Sequence, residues 1–461
     1  MEEDTLDVAG WFWLPDNPDR KFTGHLTYTA TDGGELTLYA RVGEHEHLLE
    51  HDAGRYRVVG SNGQTYFTLE SCFPRNTEIF GAQQRLSVGV VIKGAAFEPA
   101  EPLVFTEISF EVDNGLEWVE TTAVHHDVPH DTTSEFGIRV QPISSDEVAT
   151  AFGSVKLFYG WSSFGGQLAE SGVRQNRRFY LTPSSPMELD DLLTKAAGIQ
   201  NLITLAVGRP CLMHSVRLAH ADLNREREGR EPVPERLELF FQNRSGTPTF
   251  EKPRHAWELL FTYGDIGGIA GVGKWADVVE RYQTVVDSLL SLQYGQRLYL
   301  ENRLQNAVHA AEILHRLRFS NELRPKAEFK SFKRKLVGYV PRRWRTWLHN
   351  QLQYSNEPRL SARLRELVTF AGPVAEALVG DVDAWTAEVR DVRNGLVHYP
   401  GERRGTAEST RMYYLTQSLY FVVALALLRE CDVPDEVYAK VESNATFSWV
   451  AERLANSDAD A

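Results

Sequence analysis

Cysteine is scarce: Cys72, Cys211 and Cys431 are the only three in 461 residues. Their scatter provides neither a CxxC pair nor a disulfide framework. That excludes a bridged secreted scaffold and fits a reducing cytosol. Long apolar runs are also missing. The longest, Leu419 to Leu428, is half the roughly 20 residues a membrane span needs, so a buried core helix is expected there. The N-terminus, Met1-Glu2-Glu3-Asp4, is acidic and has no apolar stretch, so a secretory signal is not expected and a cytoplasmic protein is. No internal repeat or low-complexity tract is found.

Net positive charge is lacking too, the total being −14. That argues against a generic nucleic-acid binder, yet the distribution is uneven. Up to Phe250 there are 36 acids and 21 bases, a net of −15; the rest holds 63 − 36 = 27 acids and 49 − 21 = 28 bases, a net of +1. From Arg324 to Arg345 nine bases stand against one acid, Glu328. Lys330, Lys333, Arg334, Lys335, Arg342 and Arg343 are the candidates for holding an RNA backbone by counterion release. The plain alternative is a solvated helix face.

What is present is a globular composition, 42% hydrophobic and 11% aromatic, in a chain long enough for two or three domains. The first half reads as β. Strand-like runs cover 21–30, 35–42, 57–60, 65–70, 86–93, 104–112 and 178–182. Asp32-Gly33-Gly34 and Ser61-Asn62-Gly63-Gln64 supply hairpin turns. Their spacing suggests an antiparallel, sandwich-like or barrel-like sheet. A helix is expected over 187–207, and a further strand over 237–241. After the turn-rich Asn243–Pro248 the pattern is helical, in segments near 275–294, 296–319, 328–340, 342–355, 359–372, 382–398 and 407–431, with two short helices beyond. The expected architecture is α+β: a β-rich domain over 1–250 and an all-α bundle over 251–461.

The chemistry-bearing feature is Arg393-Asn394-Gly395-Leu396-Val397-His398. An Arg followed by a His five residues on is weak by itself: 38 Arg and 14 His predict about one chance match, and Arg20–His25 and Arg209–His214 are two others. Only Arg393–His398 lies on a helical pattern, with Val382, Trp385, Val389, Val392 and Leu396 at 3-4 spacing. Arg393 falls at the edge of that stripe. Asp391, Asn394 and His398 share the opposite face, and Pro400-Gly401 ends the helix. RNA can be cut without metal when its own 2′-hydroxyl attacks the adjacent phosphate. Such a cut needs a proton carrier near neutral pH, which is histidine's role, and a cation over the developing phosphorane charge, which suits arginine. One pair per chain does not readily supply acid, base and cation, so a twofold dimer joining two motifs is expected.

Two regions resemble one family. Arg-Asn-xxx-His followed by Tyr399, the long helix Met412–Glu430, and Ala310-Ala311-Glu312-Ile313-Leu314-His315-Arg316 resemble HEPN ribonuclease domains. Gly10-Trp11-Phe12-Trp13-Leu14-Pro15, Gly24-His25-Leu26-Thr27, Gly60–Thr65, Phe110–Trp118 and Ile199–Leu202 leading to Gly208-Arg209-Pro210 resemble the N-terminal domain of ApeA-like anti-phage proteins. The resemblance implies a HEPN endoribonuclease of abortive infection that cuts host RNA, tRNA in particular, when a phage-derived trigger is sensed. Carried over, Arg393 and His398 are the catalytic pair, Asn394 positions a hydroxyl or the histidine, and Glu312 is an auxiliary polar residue. No cofactor is implied. The alternative is a HEPN module that binds RNA or protein without cutting.

Other constellations carry less. Gly268–Lys274 fits GxxxxGK, but Trp275 stands where a Ser or Thr should meet Mg²⁺, so an inter-domain loop is expected. His45, His47, His51 with Glu44, Glu46, Asp52, and His125, His126, His130 with Asp127, Asp131, read as polar loops rather than zinc sites. His309, Glu312 and His315 lack the second Glu-x-x-His of a di-metal bundle.

Overall fold

The computed structural model describes residues 5–39, 56–77, 83–98, 101–127, 137–166, 170–227, 230–242, 252–295, 298–398 and 406–456. The chain divides into two compact units, Met1–Asp277 and Val278–Ala461.

The first unit is β-rich. Its strands begin with β1 (Leu6–Trp13), β2 (Phe22–Thr29), β3 (Gly33–Tyr39), β4 (Tyr56–Ser61), β5 (Tyr66–Thr77), β6 (Gln83–Val88) and β7 (Val90–Lys93). Antiparallel pairing runs β5-β4-β1-β2-β3-β6 and returns to β5, which closes a six-stranded barrel. Closure removes the sheet edges that would otherwise stay unpaired. The long β5 makes it work. Its Phe73–Thr77 end pairs with β6, while Phe67–Glu70 pairs with β7. Alternation fills the interior, as in β2, where Phe22, Gly24, Leu26 and Tyr28 point inward. Phe12, Leu26, Leu36, Leu38 and Leu86 are buried to 0% exposure. Each such side chain contributes roughly 1.5–3 kcal/mol.

Two of the turn and glycine signals have clear causes. Asn62 Oδ1 accepts from the amides of Gln64 (3.0 Å) and Thr65 (2.8 Å), and Gly63 takes the left-handed φ of 89° that the β4–β5 turn needs. Gly60 lies against Phe12, where an added Cβ would sit 2.4 Å from the ring.

From β7 the same sheet continues through Leu237–Phe241, Met213–Ala219, Glu107–Val112, Gly172–Pro183, Gly153–Phe164 and Asp146–Thr150, all antiparallel. The expected antiparallel, sandwich-like or barrel-like sheet is thus a closed barrel with a long open arm. Helix α1 (Gly115–Val119) is short, and α2 (Leu189–Val207) covers the arm at Glu107–Val112. The division between units falls later than 250. Residues 252–277 are held in the first unit: the Leu260 amide bonds to Ala206 O, the Tyr263 amide to Trp118 O, and Trp275 Nε1 donates to Gly198 O at 2.8 Å.

Helix α3 (Ile269–Tyr294) begins in the first unit and continues into the second, with a non-helical Tyr282. The second unit goes on with α4 (Leu300–Arg318), α5 (Lys326–Tyr339), α6 (Arg342–Gln351), α7 (Leu360–Ala371), α8 (Pro373–Val379), α9 (Val382–His398), α10 (Thr406–Glu430), α11 (Asp435–Ser443) and α12 (Ala445–Asn456). Helix α10 is its axis, packed by α4, α7, α8 and α12. Every residue from Leu415 to Leu428 is buried, which is why this helix is apolar on all sides. It is long and apolar enough by composition to cross a membrane, but 78% of its apolar window is buried inside the unit, as a core helix requires.

Candidate active site

Helix α9 carries the Arg-Asn-xxx-His motif, and its first half is locked into the core. Asp381 starts it, its Oδ1 accepting from the Ala384 amide at 3.0 Å. Trp385 is buried and its Nε1 donates to Ser418 Oγ on α10 at 2.9 Å. Glu388 receives Arg411 of α10 through two bonds of 2.6 Å each, a planar fork that fixes rotation about the axis. Ser361 Oγ on α7 donates to Thr386 O at 3.2 Å, and Arg365 pairs with Asp383. These contacts run 361 to 386 and 365 to 383, so α7 and α9 are antiparallel.

The second half of α9 emerges from the core. Val389 is fully buried, but Val392, Arg393, Asn394, Gly395 and Leu396 are only half-buried. Arg393 Nη1 donates to Asn394 Oδ1 at 3.3 Å, so these two motif side chains are together. Asp391, on the same polar face, is taken by Arg390 at 2.8 and 3.0 Å, a pairing that lowers its pKa. The backbone of His398 forms the last residue of α9. Its side chain, with Tyr399, Pro400 and Gly401, lies outside the described residues.

Glu312 is half-buried on α4. Its negative charge acts on Arg363 of α7, and among the described residues no hydrogen bond joins it to Arg393 or Asn394.

Beside it lies a buried polar node that the sequence pattern does not single out. His315 has 0% side-chain exposure; its Nε2 donates to Glu366 at 2.8 Å, and its Nδ1 accepts from Arg363 Nη1 at 2.9 Å. An arginine can only donate, so His315 is the neutral Nε2–H tautomer. Burial pushes its pKa down, Glu366 opposes that, and Arg363 adds to it. Arg363 also donates to Asn321 Oδ1 (2.7 Å), Pro358 O (3.0 Å) and Glu357 (3.3 Å). This excludes His315 from a metal site with His309 and Glu312. The available signal is an arginine inside the apolar stripe Leu364-Leu367-Val368-Ala371.

The six bases proposed to hold RNA sit on α5 and α6. Lys330, Arg334, Lys335, Arg342 and Arg343 are exposed, and Lys333 is half-buried. The two decoy pairs are structural. His25 bonds to Asp7 at 2.6 Å, and Arg209 bonds to Asn114 and the Lys252 carbonyl. Gly268–Lys274 is no phosphate loop, because it is helical from Ile269 and among the described residues no strand leads into it. His45, His47, His51, Glu44, Glu46, Asp52, His130 and Asp131 lie outside the described residues. Among the described residues no group of three His, Cys, Asp or Glu could hold a metal.

The axial apolar helix, the helices packed on it and an Arg-Asn-xxx-His helix that leaves the core at its motif define a HEPN-type unit. Comparison with family models agrees: residues 305–437 match the Apea-like HEPN domain, and residues 7–275 match ApeA N-terminal domain 1. The chain belongs to the ApeA family and is a HEPN-domain effector of the anti-phage class. The HEPN match contains Glu312, Arg393, Asn394 and His398. No curated protein and no solved structure gives a match.

Proposed function

We propose that the protein is a metal-independent endoribonuclease that acts in the cytoplasm, cutting host RNA, tRNA in particular, when a phage-derived trigger is present. The observation that carries this reading is helix α9. Its first half is clamped by Ser418 and Arg411, and its second half brings Arg393 and Asn394, side by side, out of the core on the helix that ends at His398. Such clamping is the preorganisation that charge stabilisation in a transition state needs.

In the proposed reaction His398 takes the proton of the RNA 2′-hydroxyl. The freed oxygen attacks the adjacent phosphorus, and the bond to the 5′-oxygen breaks. The products are a 2′,3′-cyclic phosphate and a 5′-hydroxyl, the latter protonated by the second histidine of a dimer or by water. Arg393 faces the extra negative charge of the phosphorane, and Asn394 holds the Arg393 guanidinium in place. Glu312 tunes the surrounding charge. Val392 and Leu396, only half-buried in one protomer, continue the apolar stripe onto surface that a second copy would cover.

Expression of the wild type, Arg393→Ala and His398→Ala during phage infection tests this reading. Growth arrest and fragmentation of small RNA are expected for the wild type alone. Equal protection by His398→Ala would refute it.

A further inference from the structure

The helical hairpin between Leu323 and Asn356 has no part in the bond-breaking steps above. Its base is closed by Asn356: Nδ2 donates to Arg324 O (2.8 Å), Oδ1 accepts from the Arg324 amide (3.1 Å), and its carbonyl accepts from the Leu323 amide (2.8 Å). Beyond that clamp neither α5 nor α6 has a buried residue. Amphipathic helices ordinarily hide one face; here neither apolar face is buried, Phe332, Tyr339, Trp344 and Trp347 being exposed and Phe329 and Leu336 half-buried. On α5, Phe329, Phe332, Leu336 and Tyr339 recur at 3-4-3 spacing beside a basic face of Lys326, Lys330, Lys333 and Arg334. On α6, Trp344 and Trp347 meet edge to face at 6.0 Å, with the Arg343 guanidinium 5.7 Å over Trp344. Exposure is 87% for Tyr339, 56% for Trp347, 51% for Phe332 and 49% for Trp344.

Charge is equally available. The acids nearest in sequence are taken, Glu328 by Arg324 at 3.0 Å and Glu322 by Lys326 at 3.1 Å. Among the described residues no carboxylate lies within ion-pair distance of Lys330, Lys333, Arg334, Lys335, Arg342 or Arg343.

We infer that this hairpin is a clamp for unpaired RNA, with Tyr339, Trp344 and Trp347 stacking on splayed bases while the six cations hold the phosphates. Interleaved aromatics and cations match an unpaired strand, which offers base faces and phosphates together. A duplex hides its base faces in the stack and could use only the cations. Placement favours the nuclease's own substrate as occupant. Because α9 runs antiparallel to α7, Arg393 lies seven residues past the Ser361–Thr386 contact, about 10 Å further along the axis, toward the end where the hairpin rejoins α7. A membrane-binding role gives no reason for that neighbourhood. The assignment of this RNA as the substrate rests on the nuclease reading; the binding itself does not.

The test uses the full chain carrying His398→Ala, so that bound RNA stays intact. Three probes are titrated: a mixed-sequence RNA oligonucleotide without self-pairing, the matching RNA duplex, and vesicles of phosphatidylglycerol and phosphatidylcholine. The unpaired strand is expected to bind more tightly than the duplex. Adding Trp344→Ala and Trp347→Ala should weaken the unpaired strand about tenfold or more and the duplex by less than about twofold. Adding Lys333→Glu and Arg334→Glu should weaken both RNAs and flatten the salt dependence. These side chains are exposed or half-buried, and unchanged thermal melting will verify the fold. Unchanged affinity of the tryptophan variant for unpaired RNA overturns the inference. So does loss of vesicle binding or of dimerisation in that variant with RNA affinity intact, since the surface then serves a membrane or a second copy. If the wild type binds the unpaired strand as described but cuts nothing, the nuclease reading fails and the clamp stands.

Discussion

At the scale of single residues, the helical unit depends on a neutral histidine held between two charges. His315 gives its Nε2 proton to Glu366 and takes one from Arg363, and its pKa is lowered from 6.5. The folded state therefore resists protonation that the unfolded chain accepts. The stabilisation is full above about pH 6.5 and is lost as the pH falls toward the lower folded value. Arg316 and Glu312 share the neighbourhood, and Glu366 is half-exposed, so the charges around the ring partly offset one another. We predict that lowering the pH from about 7.5 to about 5.5 reduces the melting temperature more in the wild type than in His315→Gln. Parallel slopes would contradict this account. The sequence did not reveal the node, because its members lie 48 to 51 residues apart and meet only when α4 packs on α7. Arg393 and Asn394 were legible because their signal is local: helix period, stripe and spacing.

At the scale of elements, helices and hairpins followed from periodicity and turn chemistry. Helices α9 and α10 fall within a residue of the expected spans, since apolar stripes mark their lengths. Helix α8 carries no such signal, being seven residues long and opened by Pro373, too short for a period to declare itself. A barrel-like sheet was one reading of the strand spacing, but which strands close it was not legible. Closure depends on the two ends of β5 pairing with different strands, a long-range choice with no local signature. Pairing with a distant strand also explains why Gly60 stands where a strand would favour a larger residue: it lies opposite Phe12 of β1. Phe12 fills the space above it, and an added Cβ would lie 2.4 Å from its ring. Gly60→Ala is predicted to destabilise the β-rich unit by about 1–3 kcal/mol through overpacking, read by denaturant unfolding followed at tryptophan fluorescence. An unchanged midpoint would show that the barrel interior is looser than described.

At the scale of the whole molecule, an acidic β-rich unit is joined in one chain to a helical unit with a concentrated basic hairpin. The uneven charge was visible in the sequence, and so was the change from strand to helix. The position of the division was not, because residues 252–277 have helical and turn signals yet bond back to the β-rich unit. One Arg-His pair per chain leaves acid, base and cation short by one group, which is the chemical reason for expecting a second protomer. The protein is predicted to be a dimer by light scattering; a strict monomer would remove the composite-site mechanism.

Metal-free cutting by the Arg393–His398 pair is tested by cleavage of total RNA by purified full-length protein in EDTA, wild type beside His398→Ala, with product ends determined. The wild type is expected to leave 2′,3′-cyclic phosphate ends, and the variant to cut at a rate at least about a hundredfold lower. Equal cutting by His398→Ala, or cutting by the wild type that stops in EDTA, would contradict metal-free cutting by this pair.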